Sequence, residues 1–516
     1  MRLLRGCAIV LLFLALFFGG IYAVEDWRGA RAWDAAVREV KEHGGTTDFA
    51  SVIPPPIPDD QNLAMAPFFV KALNYQIDPE TKQLTFGPPL KDPLLDHMPF
   101  GPNNTRFFHP HTSDWQQGRA ANLGAWQTYF RGDPGFPQAS DEQSPADAVT
   151  MALSRYKTPL DEVAAAAAAR PRSRFSINWT APNIFLISLP EGSLLHRLAA
   201  ALSIRASAEA VSGKQADAVA DIALGFRLSE ALDDDPVLVN DVESKGIIGM
   251  MAQPIWDGLA ARSWDAGQLQ GLQTLLSRQD ALASSARAVR TEEASATRQM
   301  EDLEQHSDSR AMYFDPIHLS ADYPPTHREN LFSESLGIIP KGWYDQNKSR
   351  IVRFQQKYVL AAIDPARRRV FPSIIAAGKA ECAATSFNPY TLFFRSGDHT
   401  FESILLRAAR KQVSCDQAAI ACALERYSLD HQSYPNDLGA LTPAYLTKVP
   451  TDVIDGAPMR YQRAPDGRYR LYSIGWNARD DGGKAARIEG GTHPDERAGD
   501  WVWQYEPIKP PEFRRN

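Results

Sequence analysis

The sequence predicts a mainly α-helical protein with a membrane anchor at its N-terminus and a small α+β head at its C-terminus. Three observations carry that reading. A charge-free apolar run, Cys7 to Val24, follows basic Arg2 and Arg5 and precedes acidic Glu25 and Asp26. From Ser144 to residue 397, helical spacing with capping signals dominates. Beyond Asp398 a long helix gives way to short alternating strands and an Asp-Gly turn signal. The implied divisions are a transmembrane signal anchor at 1–24, a membrane-proximal helix with a Pro-rich linker and irregular segment at 25–143, a helix-hairpin domain at 144–397, and the α+β head at 398–516.

Composition narrows the classes. At 516 residues the chain exceeds one ordinary core. Hydrophobic residues at 44% and charged residues at 23% are the balance of a folded protein. Its net charge of −7, with no long basic run, excludes nucleic acid as the expected partner. Of four cysteines, Cys7 sits in the apolar run, which leaves Cys382, Cys415 and Cys422. Cys415 and Cys422 are seven apart on a predicted helix, about 10 Å along its axis, too far to bridge. A disulfide, if formed, joins Cys382 to one of them; small buried thiols are the favoured alternative.

Basic residues before the apolar run and acidic residues after it predict an N-in orientation, so the bulk lies outside the cytoplasmic membrane. The run satisfies both a short span and a long signal-peptide core. Ile21-Tyr22-Ala23 is a poor cleavage site because its first position is large, which favours a retained anchor. Glu25–His43 then reads as an amphipathic helix ended by Gly44-Gly45, and Pro54–Pro58 as a stiff spacer. Gln76–Pro137 is rich in Pro, Gly, Asn and aromatics and predicts irregular structure. Within it, His109, His111 and Asp114 are conceivable metal ligands, with ordinary loop residues as the alternative.

Ser144 caps the first helix of the array, and Pro171 stops the second. Arg170, Arg172 and Arg174 form a short basic cluster, read as solvated or ion-paired surface. The segment from Leu194 to Pro236 predicts a helical hairpin turning at Gly213. Its small residues Ala206, Gly213, Ala218 and Gly225 resemble one tetratricopeptide unit, although Glu209 replaces a large apolar residue. Further helices are expected over Leu238–Ala261, Asp265–Asp302, Trp343–Ala362 and Ala366–Ala377. Glu292, Glu293, Asp302 and Glu304 read as a solvated helix face rather than paired catalytic acids.

The helix predicted over Asp398–Asp430 carries two apolar stripes. One holds Leu406, Ala409, Val413, Ile420, Leu424 and Tyr427, and the other holds Ala408, Cys415, Ala419 and Cys422. A helix apolar on two sides is sandwiched, here between its own sheet and the helical array. Strands follow at Met459–Gln462, Arg468–Ser473 and Trp501–Tyr505.

Tyr427, Tyr434-Pro435, Val449-Pro450, Asp455-Gly456 and Tyr472-Ser473-Ile474-Gly475 occur in the order and at the spacing of the major pseudopilins of type II secretion. The last fifth of the chain therefore resembles their globular domain. The resemblance implies an α+β fold and a calcium loop, here WNARDDGGK with Asn477, Asp480, Asp481 and Asp500 as the ligand set. Calcium, with six to eight oxygen ligands, is the one cofactor suggested. Asn477 stands where the family has Asp, and the insert Lys484–Gly499 is longer than the family's. The N-terminus departs further, because Cys7 follows Gly6 and Leu11 stands where prepilins carry Glu.

No GxSxG, HExxH, SxxK or GxxxxGK[ST] occurs. The leading expectation is thus a non-enzymatic, membrane-anchored extracytoplasmic scaffold. Its partners are the cytoplasmic membrane, through residues 7–24, and proteins of the envelope. One competing reading is an envelope hydrolase or carbohydrate-processing enzyme, with its site drawn from His109, His111, Asp114, His318, Asp322 and His327. Another is a pseudopilus-associated component.

Overall fold

A computed structural model describes residues 2–77, 84–86, 115–175, 177, 179, 187–306, 336–396, 401–465, 467–488 and 494–503. The described residues are mainly helical, 64% helix against 8% strand, and the strands are confined to short pieces around the helices.

Helix α1 (Arg2–Glu42) is a single element: the apolar run and the amphipathic segment are not separated by any break. At 1.5 Å per residue it is about 60 Å long, twice the hydrocarbon thickness of a bilayer. Ile9 to Val24 stand exposed, and this is the one described helix long and apolar enough to cross a membrane. From Glu25 onward α1 packs on α11 (Lys341–Phe354). The two backbones touch where Gly29 faces Gly342, leaving no room for a Cβ at either position. Asp26 accepts from the Gly342 amide at 2.8 Å, and Glu39 takes both Arg353 nitrogens at 2.6 and 2.9 Å. Ala36, Val40 and Val352 close the contact as a small buried cluster.

Between them lies the array. After α2 (Pro67–Ala72) and the antiparallel pair β1 (Tyr75–Ile77) and β2 (Leu84–Phe86), the region expected to be irregular contains α3 (Leu123–Arg131), capped by Asn122. Its Trp126 and Phe130, one turn apart, stack into the core. This helix corrects the expectation of irregular structure through residue 137: the i,i+4 aromatic pair outweighs the surrounding glycines and prolines. Helices α4 (Pro145–Leu153) and α5 (Lys157–Ala169) follow, and Ser144 caps α4 as expected. The hairpin α6 (Pro190–Ala210) and α7 (Gln215–Asp233) turns at Gly213, whose φ of +82° suits glycine. Helix α8 (Leu238–Ala260) lies against both, and Gly225 of α7 admits the Met251 side chain where a Cβ would collide.

The single helix expected over Asp265–Asp302 is two, α9 (Ala266–Ser277) and α10 (Ala281–Gln305). Asp280 breaks the run by capping α10 through the Ala283 amide, a polar signal that competes with continuation. Trp343–Ala362 ends its α-helical part at Phe354, widens through a π turn and then tightens in a 3₁₀ turn. A two-residue hairpin follows, β3 (Ile363–Asp364) with β4 (Arg369–Val370), so the next helix, α12 (Pro372–Ala384), begins later than expected. The short α13 (Leu392–Ser396) precedes the head.

Helix α14 (Phe401–His431) is sandwiched as its two stripes predict. One side meets α8, α9 and α10, and the other meets a three-stranded antiparallel sheet. That sheet has the order β5 (Arg460–Arg463), β6 (Tyr469–Ser473), β9 (Trp501–Trp503), with Arg460 opposite Tyr472 and Leu471 opposite Trp503. A second hairpin, β7 (Ala485–Arg487) with β8 (Pro494–Gly499), occupies the insert. Leu198, Leu232, Trp256, Ile420, Leu471 and Trp503 belong to one continuous buried cluster. Array and head share that core.

All four cysteines are free. Cys415 and Cys422 are buried on α14, and burial pushes the Cys415 thiol up to about 12 and Cys422 higher still. Both are packing atoms, inert toward disulfide exchange.

Candidate functional site

Two places gather polar side chains around the head: the loop after β6, and the seam where α14 crosses the array. The loop is built on Asp452, which is fully buried. It accepts from the Ile454 and Ile474 amides, each at 3.0 Å, from the Ser473 hydroxyl at 2.9 Å and from Arg460 at 3.2 Å. One carboxylate thus ties the turn after Pro450 to the end of β6, and a carboxylate with several charge-assisted partners tolerates burial. Sequence reading passed over Asp452 because its partners lie 21 and 22 residues away.

Of the four expected calcium ligands, Asp500 is the best placed and the least available. It is 2% exposed, and its two oxygens accept from the amides of Asp481 at 3.2 Å, Gly483 at 2.6 Å and Lys484 at 3.3 Å. Asp480 accepts from the Tyr472 hydroxyl at 3.2 Å and the Gly482 amide at 2.9 Å. Asn477 donates its amide to Asp481 at 2.9 Å, closing the set upon itself. Amide hydrogens aimed at the carboxylates occupy the lone pairs that a cation needs, and among the described residues no group of three His, Cys, Asp or Glu side chains converges to hold a metal. These residues do not fit a calcium site. Asp500 closes the loop itself. Accordingly, millimolar calcium and a chelator are both expected to leave the thermal midpoint of the full-length protein unchanged; a calcium-dependent rise would reinstate the ligand set.

The seam is wetter. Gln253 and Asp257, one turn apart on α8, hold the segment leading into α3. The Gln253 carbonyl accepts from the Trp115 amide at 2.9 Å, and its amide donates to Arg119 at 3.1 Å and to Asp257 at 2.8 Å. Asp257 also accepts from the Ala121 amide at 3.2 Å. Beneath this strap are two adjoining chambers of about 330 and 300 Å³ that share Ala121 and Ser207. Lys411 of α14 enters the larger one.

The acidic residues on α10 correct the expectation of a solvated face. Glu293 is fully buried and accepts twice from Gln356, at 3.0 and 2.8 Å; Asp302 is buried against His306 at 2.9 Å; Glu304 meets Lys341 at 3.2 Å. Because α10 is covered by α8, α11 and α14, its polar residues are buried by the fold around them. The basic cluster fares better: Arg174 is ion-paired with buried Asp235, and Arg170 gives its carbonyl to Arg227. His109, His111, Asp114, His318, Asp322 and His327 lie outside the described residues.

Burial of carboxylates has a consequence for pH. It raises Glu191, Asp257 and Glu293 each to about 7. A folded-state value above the unfolded one means that the folded protein holds the proton more tightly. Stability from these three groups is therefore complete near pH 4 and is lost as pH rises toward and through 7. Thermal unfolding of the full-length protein is expected to show a higher midpoint at pH 5 than at pH 8, a difference on the order of a few kcal/mol. Glu293→Gln should flatten part of that slope. A midpoint that rises from pH 5 to 8 would refute the assignment.

No family model, no curated protein and no solved structure matches the chain.

Proposed function

We propose that the protein is a single-pass, N-in scaffold of the cytoplasmic membrane whose body lies on the extracytoplasmic side and presents its helical array and head to envelope proteins. The observation that carries this reading is the unbroken α1. Its apolar half is bare, and its other half is a packed element of the body, held by the Gly29–Gly342 contact and the Asp26 and Glu39 bonds. A removable leader needs no such continuity. The body is thereby set at a fixed distance and angle from the bilayer, as suits a platform. The flanking charges, Arg2 and Arg5 against Glu25 and Asp26, supply the orientation.

The long helix on a three-stranded antiparallel sheet is consistent with a pseudopilin-like head. In this chain that helix is covered on its second face by α8, α9 and α10, which argues for a docked module and against a filament subunit. The test is affinity purification of the full-length protein from solubilised membranes. Reproducible recovery of the same envelope proteins supports the scaffold, recovery of secretion-system components turns it toward the pseudopilus, and recovery of nothing reproducible sinks it.

A further inference from the structure

We propose that the 330 Å³ chamber under the Trp115 strap is a binding site for a small organic monoanion, a carboxylate on a flat apolar body, with the Lys411 ammonium as its counter-ion. This stands independently of how the protein is anchored.

Lys411 is anomalous among the partly or fully buried lysines of the fold. Lys245 lies between Asp233 at 3.1 Å and Asp241 at 2.8 Å, and Lys348 is paired with Asp345 at 2.8 Å. Lys411 is partly buried and, among the described residues, no hydrogen bond or ion pair closes on its nitrogen. The carboxylates nearby are committed elsewhere: Glu496 faces Arg410 at 3.8 Å, and Glu243 holds His196 at 2.8 Å. Arg407 and Arg410, on the same stretch of α14, add positive potential at the Lys411 nitrogen. Burial first, with Arg410 and Arg407 beside it, pulls the Lys411 value below the ordinary lysine range, against the weaker opposing attraction of the Glu496 carboxylate. An ammonium half withdrawn from water, with no carboxylate at ion-pair distance among the described residues, is stabilised by an arriving anion.

The chamber fits the rest of such a ligand. The floor is α8 at Gly246 and Gly249, and a Cβ at Gly249 would stand 2.6 Å from the Lys411 nitrogen. The missing side chain is what lets the ammonium reach the space. Trp115 and Trp126 supply flat apolar lining, and among the described residues Lys411 is the one charged side chain that lines the chamber. Its other polar groups are occupied: the Ser203 hydroxyl donates to the Met250 carbonyl at 2.9 Å, and Gln253 is spent on the strap. Among the described residues, a single lining cation beside two aromatic rings selects one negative charge on a planar body. A phosphate dianion would leave a charge unmatched.

The experiment uses the full-length protein in detergent and a probe panel of benzoate, phenylacetate and 1-naphthoate, each beside its uncharged primary amide, read by ligand-observed NMR and by shift of the thermal midpoint. At least one carboxylate is expected to bind saturably, and its amide at least about tenfold more weakly. Lys411→Met, which keeps the side-chain length and removes the charge, should weaken the carboxylate by at least about tenfold while the midpoint of the unliganded protein stays level or rises. Gly249→Leu, which fills the floor, should abolish binding. If Lys411→Met fails to fold, Lys411→Gln is read in its place. The proposal is overturned if no carboxylate in the panel saturates, if amide and acid bind alike, or if the charge-removing variant binds as tightly as the parent.

Discussion

Replacing Lys245 with Met is expected to destabilise the protein by about 3–5 kcal/mol, the range for breaking a buried ion pair from one side. Lys245 is 1% exposed on α8, and its ammonium joins α7 through Asp233, its own helix through Asp241, and α10 through the Ser284 hydroxyl at 2.6 Å. Asp241 in turn accepts from Ser285 of α10 at 2.8 and 3.0 Å. Removing the ammonium strands the buried Asp241 carboxylate and leaves the mostly buried Asp233 without its partner. Denaturant unfolding of the single variant should show the loss, and adding Asp241→Asn should recover part of it, because the second change removes one of the stranded charges. A single variant within about 0.5 kcal/mol of the parent would show that solvent reaches this cluster.

The second large effect concerns the anchor. Gly342→Val is expected to pry α1 from α11, because the added carbon meets the backbone of Glu25 and Asp26, which cannot yield as a side-chain tip would. The body can still fold around its main core, to which the Ala36, Val40 and Val352 cluster does not belong. The expected phenotype is therefore local. Limited proteolysis should cut the variant near Gly44-Gly45 and release the body from membranes, while the parent resists at the same protease concentration. Equal resistance of the two proteins would mean that the close contact is dispensable.

What was legible in the sequence was whatever local periodicity and capping decide. The bare apolar half of α1, the hairpin at Gly213, and the strands at 460–463 and 469–473 follow from spacing and turn residues. The two apolar stripes of α14 were legible too, and with them its place between array and sheet. The break at Asp280 was missed because a capping Asp looks like any solvated acid until the chain turns. The polar residues of α10 were misjudged for a related reason: a charged residue reads as solvent-facing unless its partner is visible, and Glu293 finds Gln356 63 residues away. The same blindness hid Asp452 and Lys411. A pattern of residue types records which groups are present, whereas burial and pairing are properties of the assembled core.

The loop after β6 shows how composition can mislead about a site. Asp480, Asp481 and Asp500 with two glycines have the residues of a cation loop, yet Gly482 and Gly483, at φ of +72° and +75°, serve to point their amides at Asp480 and Asp500 respectively. The acids are acceptors for the loop's own backbone.

The central claim, that α1 is a retained anchor carrying the body on the far side of the membrane, is tested most directly by labelling a Val211→Cys variant, with the partly exposed Cys382 replaced by Ser and compared with the Cys382→Ser protein alone, in intact spheroplasts with a membrane-impermeant maleimide. Val211 lies exposed at the α6–α7 turn, and Cys415 and Cys422 are buried. The expected result is labelling at position 211 without permeabilisation, on a protein of full intact mass that stays in the alkaline carbonate pellet. Labelling only after permeabilisation, or recovery of a shortened protein in the supernatant, would contradict it.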